Sequence, residues 1–484
     1  MSWKNIGAFQ VDQATSCQFA QASGDFNPLH VDPILARRYQ YGSTVIHGVC
    51  GILKALDILL MNLDRPVSLT AIKAHFTRPI LHGDHVEVFS YQSTWHDQKL
   101  RLSVHGRRAQ DITLVLTENG KGPEITKNAP ISASKPQPVV LGFEDALGME
   151  STFDLVWNPE LMQILFPHAK QFLPDYQAAV LLGLTRIVGM KCPGLHSVFA
   201  GLNVHFVQNP SVSDVKMHFN VTKNDSRFSM ITLGVTHNTA NGEITALFRP
   251  KPVSQEKYIE LQAIVPKNQF ANQKALIIGG SRGIGEVTAK LIAAGGGHPV
   301  ITYYRGKDDA DRIVSDIRSH GGKCDAVSYD VLSPSKTVNM DCSADERVTH
   351  IYYFASPLIE KGEHLVWDDA VFQKFCNYYL SGFGQLIENF LSDSLYAKQK
   401  MTVFVPSTIF LDQPQKEFNE YIAAKAAVEA LIRQLTVKLP NWKFMIPRLP
   451  RMLTDQTSGV NIDSSQKTAE VMLDALTSLD NPSD

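Results

Sequence analysis

Two stretches of this chain read alike. HGVCGILKALDILL (47–60) leads into SLTAIKAHFTRPILHGDHVEVF (68–89), and YQAAVLLGLTRIVGM (176–190) leads into SVFAGLNVHFVQNPSVSDVKMHF (197–219). Each is an apolar run of helix length, a loop, then two strand-like segments divided by a proline turn. Within them AHFTRPILHGDHVEV (74–88) and VHFVQNPSVSDVKMH (204–218) match in step. The repetition predicts a duplicated fold. Periodicity by itself supports only an α+β layer arrangement, helices stacked on an antiparallel sheet.

After residue 270 the character changes. ALIIGG (275–280) is a short, wholly apolar run as expected of a buried parallel strand. SRGIGEVTAKLIAAGG continues as a helix, and PVITYY (299–304) is a second such strand; THIYYFAS, CNYYLSGFGQLIENFL, MTVFVPS and a helix from about Asn419 to Leu439 follow. This alternation predicts a doubly wound α/β sheet with a nucleotide at its carboxyl edge. Two Pro/Gly/Ser/Lys-rich stretches, 118–138 and 249–274, read as linkers. The expected domains are 1–125, 139–252 and 270–484.

Composition narrows the partners. Among 484 residues, 46 basic and 48 acidic side chains leave a formal charge of −2, so no positive field exists to hold nucleic acid or an anionic membrane. Six scattered cysteines form no CxxC pair, which predicts a reduced cytoplasmic chain without structural zinc or another metal. MSWKNIGAFQ lacks the basic-then-apolar order of a secretory signal. The longest apolar stretch, Gly51 to Leu63, is broken by Lys54 and Asp57 and is too short to cross a bilayer.

SGDFNPLHVDPILA (23–36), with GSTVIHG (42–48) after it, carries Gly24, Asp25, Asn27, Pro28, His30, Asp32 and Ala36 in one string. The string resembles the signature of the MaoC-like (R)-specific enoyl-thioester hydratases, and the helix–strand–strand repeat resembles the hotdog fold. The resemblance implies a double hotdog with one active half, Asp25 and His30 as the catalytic pair, and Asn27 and Gly48 at the substrate. The chemistry agrees. Adding or removing water across an α,β-unsaturated thioester moves one proton at C2 and one on the C3 oxygen, so an acid/base pair must flank one site. Free N–H groups at a helix start, where Gly48 stands, can polarise the thioester carbonyl. The second half, with His168 and Asp175 seven apart, has no such string; His168 is expected to be structural, and that half to help enclose the acyl chain.

IIGGSRGIGE (277–286) resembles the glycine motif of short-chain dehydrogenases/reductases. Its position, after an apolar strand and opening a helix, lets Gly279, Gly283 and Gly285 admit a pyrophosphate, with Ser281, Arg282 and Ile284 in the same loop. Ile278 stands where that family usually has Thr. YIAAK places Tyr421 and Lys425 on one helical face, where the ammonium would favour the phenolate. Ser407 precedes Tyr421 by fourteen residues, against the family's more common thirteen, which makes Thr408 a stand-in. Asn377 matches the family's helix asparagine and Asp330 its adenine-side aspartate. Arg305 after the second strand and Arg282 in the loop favour NADP(H), since a 2′-phosphate needs cations. FASP (354–357) replaces the family's NNAG segment, and the tail after RLPRMLT is short, which reduces the usual substrate lid.

Together the resemblances imply a bifunctional enzyme: a 3-oxoacyl-thioester reductase using NADPH, joined to an (R)-3-hydroxyacyl dehydratase, on CoA or acyl carrier protein, in fatty-acid or polyketide-type chain building. The alternatives are the same sites run as NAD-linked hydration and oxidation in β-oxidation, or a hydratase carrying a non-catalytic scaffold. A homo-oligomer is expected, as both resembled families usually assemble.

Overall fold

The computed structural model describes residues 3–63, 65–92, 94–118, 136–208, 210, 215–333, 347–360, 362, 366–457 and 467–478. Most of the 118–138 stretch, and most of the residues between Asp330 and His350, lie outside them. The chain divides into two compact units, Met1–Lys251 and Pro252–Asp484.

In the first unit, alternating apolar residues fold into ten strands: β1 (Lys4–Phe9), β2 (Val67–Phe76), β3 (Val86–Gln92), β4 (Asp97–Val104), β5 (Arg107–Glu118), β6 (Glu150–Asp154), β7 (Ser197–Phe206), β8 (Lys216–Asp225), β9 (Met230–His237) and β10 (Ala240–Phe248). They form one sheet in the order β1-β3-β4-β5-β2-β7-β10-β9-β8-β6. Read inward from either edge, the two halves have the same plan, and β2 pairs with β7 antiparallel between them, Ala71 opposite His205 and His75 opposite Gly201. This is the hotdog-like architecture, present twice.

Each half lays a central helix on its sheet. Gly48–Leu63 buries Val49, Ile52, Leu53, Leu56, Leu59 and Leu60, an apolar surface too wide for a helix facing water on one side. Asp175–Arg186 buries Tyr176 through Thr185 without a break and runs on as a π-helical turn, Ile187–Lys191. Both helices and both half-sheets share one apolar core. Where β2 bulges between Leu69 and Ala71, Gln177 of the second helix closes the gap: its Oε1 accepts from the Leu69 N–H at 2.8 Å and its Nε2 donates to the Leu69 carbonyl at 2.8 Å.

The second unit is a Rossmann-like domain. β11 (Lys274–Ile278), β12 (His298–Tyr303), β13 (Asp325–Ser328), β14 (His350–Tyr353), β15 (Met401–Phe404) and, after the short β16 (Ser407–Thr408), β17 (Trp442–Met445) build a six-stranded parallel sheet. Its order, β13-β12-β11-β14-β15-β17, reverses direction between β11 and β14, where such sheets open a ligand crevice. β18 (Arg448–Leu449) pairs with β16 outside it. The expected linker at 249–274 is partly folded: Tyr258–Gln262 is a helix against the helix Gly283–Ala294, and the Val253 N–H donates to Asp455. Among the described residues no helix is long and apolar enough to cross a membrane, and the five described cysteines are free thiols.

Gln177→Leu keeps the volume of the side chain, orphans the Leu69 N–H and leaves the Leu69 carbonyl only the longer bond from Gln208 at 3.4 Å. Leaving buried backbone groups unpaired costs about 1–3 kcal/mol each, so the variant is expected to unfold its first unit at lower denaturant with an unchanged m-value. An unaltered midpoint in urea titration of the whole chain would refute that role.

Candidate active sites

The first site forms where the 23–36 string meets both central helices. The helix Gln13–Ser23 ends at Gly24, whose left-handed backbone (φ 74°) turns the chain back. Asp25 follows, 1% exposed. Its Oδ1 accepts from the Asn27 N–H at 3.1 Å and its Oδ2 from the Thr185 hydroxyl at 2.7 Å. His30, on the short helix Pro28–Val31, donates from Nδ1 to the Val45 carbonyl at 2.9 Å, because a carbonyl can only accept. His47 lies between the two: its ring stacks on His30 at 3.9 Å, its Nε2 donates to the Asp25 carbonyl at 3.0 Å, and its Nδ1 has no partner among the described residues.

Burial dominates the titration of all three. It raises the Asp25 carboxyl to about 7 against the opposing Thr185 and Asn27 hydrogen bonds and the Arg186 charge. It lowers His30 to about 4 and His47 well below the usual imidazole range. With Nδ1–H fixed on Val45, the neutral His30 ring keeps its lone pair on Nε2. Asp25, His30 and His47 also offer donor atoms within 4.8 Å of one another, a spacing that could hold a cation.

A cleft of about 220 Å³ opens onto this cluster, lined by Asp25, His30 and Gly48 from the first half and by Thr185, Gly189 and Phe199 from the second. Gly48 begins the central helix; a Cβ there would press on the Phe76 ring. Asn27, expected at the substrate, is fully buried and not among the cleft's lining. Its Nδ2 donates to the carbonyls of Gly189 (2.9 Å) and Gly194 (3.0 Å) and its Oδ1 accepts from the Leu29 N–H, so it fastens the loop to the second half. His168 is structural: Asp57 accepts from the His168 and Ala169 N–H groups at 2.7 and 2.8 Å, capping Pro167–Phe172, while Asp175 pairs with Lys170 at 2.8 Å. His47 and Thr185 were not singled out from sequence. The His-Gly pair at a helix start was a signal for the first; Thr185, in a helix without the string, gave none.

The second site lies at the carboxyl edge of β11 and β14. Gly279 has φ +78° and a Cβ there would meet the backbone of Phe354 and Ala355; a Cβ on Gly285 would strike the Gly279 carbonyl. Gly283, at φ +55°, faces only Thr454 beyond 3.5 Å. The helix Gly283–Ala294 begins without a side-chain cap, so its first N–H groups face an open cradle fit for a pyrophosphate. Where Ile278 removes a hydroxyl, Thr302 of β12 supplies one, accepting from the Gly279 N–H at 3.0 Å. Ser281 is buried in the loop beside Arg282 and the half-buried Ile284. Arg305 is exposed two residues past β12, its guanidinium 5.1 Å from the Tyr304 ring; Arg282 has Asp455 at 3.8 Å. Asp330, after β13, closes a turn by accepting from the Leu332 N–H at 3.0 Å.

Tyr421 and Lys425 lie on the helix Asn419–Lys438, each 8% exposed. Burial raises the Tyr421 phenol to about 12 and lowers the Lys425 ammonium to about 7. Lys425 Nζ donates to the Pro406 carbonyl at 2.9 Å and sits 4.1 Å over the Tyr379 ring. Two expectations need correction. Ser407 does not face Tyr421: its hydroxyl donates to Glu429 at 2.6 Å, which Arg448 holds through Nε and Nη2 at 2.9 and 2.8 Å. The hydroxyl bonded to Tyr421 is that of Thr408, because successive residues of β16 point to opposite faces. Asn377 is exposed, its Oδ1 accepting from Gln373 at 2.8 Å. A π-helical turn, Asn377–Gly382, rotates the helix face, and Tyr379 points inward instead, its hydroxyl 2.6 Å from that of Ser356.

Residues 4–108 match the MaoC like domain and residues 273–448 the short chain dehydrogenase. Curated relatives include a fatty acyl-CoA reductase of Acinetobacter baylyi (27% identical over 39% of this chain and 64% of that one). Others are the peroxisomal hydratase-dehydrogenase-epimerase of Saccharomyces cerevisiae (31%, 14% and 7%) and a 3-oxoacyl-[acyl-carrier-protein] reductase of Synechocystis (42%, 13% and 25%). The chain thus spans less than two thirds of each. Similar solved structures include FolM alternative dihydrofolate reductase 1 from Brucella canis complexed with NADP (20% identical, 44% of this chain, 90% of that one, TM-score 0.38). A short-chain dehydrogenase/reductase from Serratia marcescens is another (16%, 43%, 91%, TM-score 0.38).

The placement of Thr408 can be tested. Thr408→Val is expected to lower the kcat of NAD(P)H-linked reduction by roughly 10²-fold or more, the range for losing one positioned donor. Ser407→Ala should leave kcat within about threefold and instead lower stability by about 1 kcal/mol through the lost hydrogen bond to Glu429, which Arg448 still holds. The reverse pattern in NADPH absorbance assays would restore Ser407 to the site.

Proposed function

We propose that this chain, an enzyme joining a MaoC-like dehydratase domain to a short-chain dehydrogenase/reductase domain, reduces 3-oxoacyl thioesters and dehydrates the (R)-3-hydroxyacyl product to a 2-enoyl thioester. The observation that carries the reading is the pairing, in one chain, of a buried Asp25/His30 site opening on a cleft with a Tyr421/Lys425/Thr408 site beside a glycine cradle. The 3-hydroxyacyl thioester is the product of one chemistry and the substrate of the other. Both sites take a thioester presented on CoA or an acyl carrier protein, and the chain works as a homo-oligomer.

The glycine loop and the N–H groups opening Gly283–Ala294 would hold the dinucleotide's pyrophosphate, and Asp330 its adenine side. Exposed Arg305 after β12 is the cation suited to a 2′-phosphate, which favours NADP(H). When bound, the dinucleotide supplies hydride to C3. Tyr421 protonates the oxygen formed there, Thr408 orients it, and Lys425, a cation held against Tyr379, stabilises the phenolate left behind.

In dehydration, His30 Nε2 takes the C2 proton while N–H groups at Gly48 stabilise the enolate oxygen. The C3–O bond then breaks as protonated Asp25 gives its proton to the departing hydroxyl, which leaves as water. The cycle ends with a proton returned from His30 to Asp25. Water addition runs the same steps backward, so one enzyme form, with a single proton shared by the pair, serves both directions. A second reading, hydration followed by NAD-linked oxidation, draws on the name of the Saccharomyces cerevisiae relative; preference for NAD over NADPH would favour it.

Two expectations test the proposal. The kcat/KM of dehydration should be bell-shaped, falling below about 4 as His30 is protonated and above about 7 as Asp25 loses its proton. A profile flat from pH 5 to 9 would contradict the assignment (about four pH units about the limb). Following NADPH absorbance and enoyl product together on 3-oxoacyl thioesters, Tyr421→Phe should abolish NADPH use. Asp25→Asn should leave reduction intact and let the 3-hydroxy product accumulate; no NADPH oxidation by wild type on any chain length or carrier would refute the reductase.

A further inference from the structure

We infer that the half of the first unit without the acid–base string supplies a positioning residue for dehydration: Thr185, with Gly189 four residues on, forms the seat that holds the Asp25 carboxyl. The inference rests on Asp25 acting as the proposed acid, and it gives the second half a chemical role beyond enclosing the acyl chain.

The geometry is that of a fitted seat. Thr185 is 3% exposed and its hydroxyl is 2.7 Å from Asp25 Oδ2. Gly189 stands so close that any Cβ would overlap the carboxyl itself, so no other residue type fits there while Asp25 keeps its place. The π-helical turn explains how one helix supplies both. Its wider ladder has Cys192 N–H donating to the Ile187 carbonyl at 2.8 Å and Gly194 N–H to that of Val188 at 3.0 Å, which leaves the Gly189 carbonyl for Asn27 Nδ2 at 2.9 Å. The Phe26 N–H faces Met190 Sδ at 3.1 Å. Residues 185, 189 and 190 thus hold three consecutive residues of the catalytic loop, Asp25, Phe26 and Asn27.

The consequence is chemical. A hydroxyl donating to a carboxylate favours the ionised form, and Thr185 is the strongest influence opposing the burial of Asp25. The other groups facing this carboxyl are His47 from the start of the first central helix, at 3.9 Å, His30 from the string, which stacks on His47, and Arg186 from the same second-half helix. Both imidazoles are held neutral by burial. Thr185 and the Asn27 N–H bind the two carboxyl oxygens, Oδ2 and Oδ1, and between them fix the orientation of the carboxyl.

The test uses the whole chain. Thr185→Val preserves shape and removes the donor; Thr185→Ser preserves the donor and removes a methyl. Thr185→Val should move the alkaline limb of dehydration up by about one pH unit and lower kcat about tenfold at its optimum, with KM within about twofold. Thr185→Ser should return both toward wild type. NADPH-linked reduction should stay unchanged in each, which shows that the second unit is unaffected, and recovery of dehydration in Thr185→Ser shows that the first unit still folds. Gly189→Ala should lower dehydration at least about 100-fold through the displaced carboxyl. A ¹³C-carboxyl label on aspartate, with the Asp25 signal identified by its loss in Asp25→Asn, reads the same titration without turnover. An unmoved limb and unmoved titration in Thr185→Val, or a serine variant no better than valine, would overturn the inference. If wild type dehydrates no thioester while the Asp25 titration still moves, the proposed reaction fails and the seat stands.

Discussion

The antiparallel pairing of β2 with β7, Ala71 opposite His205 through His75 opposite Gly201, is the contact on which the first site depends. It makes one ten-stranded sheet of two five-stranded halves and so lays both central helices on the same side of it over a common core. The loop that carries Asp25 then has a helix of its own half behind it and a helix of the other half across from it. A half-sheet standing alone would expose its β2 edge and leave the Asp25 carboxyl without Thr185. Gln177 belongs to the same constraint, since its amide completes the backbone bonding of β2 at the bulge. Sheet continuity, helix placement and carboxyl environment form one physical unit.

Both sites keep ionisable groups away from water, and each controls the charge by a different means. At the first, Asp25 and two imidazoles lie buried at the end of the cleft, and burial drives all three toward neutrality. A pair that shares one proton can pass it back and forth with little rearrangement, as a reversible addition of water requires. At the second, the Lys425 amine, lowered by burial to about 7, is surrounded by a carbonyl and aromatic faces, Pro406 and the rings of Tyr379 and Tyr421. A carboxylate in that position would neutralise the charge that must favour the Tyr421 phenolate. The acid nearby, Glu429, is instead bound by Arg448 and Ser407 and held down to about 2, which removes it from competition.

How much of this was legible in the sequence differs by feature. The repeat of a helix and two strands was plain because strand alternation and a proline turn are local properties, and the Rossmann-like unit was plain because its glycines sit between a buried strand and a helix. The string around Asp25 was legible because seven of its residues, Gly24 to Ala36, stand at the spacing of one signature within fourteen positions. Three features were not. Thr185 and Gly189 act across 160 or more residues of chain, and nothing local marks a threonine inside an apolar helix. Asn377 was read from its match to the family's helix asparagine, and nothing in the local sequence marks the π-helical turn at Asn377–Gly382 that leaves it exposed and buries Tyr379. The register of β16 decides between two adjacent hydroxyls, Ser407 and Thr408, and a strand two residues long offers no alternation from which to read it.

The loss of the string from the second half follows from the same geometry. In that half, the helix start that would have faced an equivalent loop is used otherwise: Asp57 of the first central helix caps Pro167–Phe172, and Lys170 is paired with Asp175. Those contacts fix the approach to the second helix as structure. A second acid there would be buried in the same core without a donor comparable to Thr185, at a cost that grows with each unpaired carboxylate removed from water. Once the second helix is committed to seating Asp25, through a threonine hydroxyl and a glycine that can bear no side chain, its own half cannot also mount a carboxyl against it. The packing of the two helices against a single loop thus gives the two hotdog-like halves different parts at one cleft.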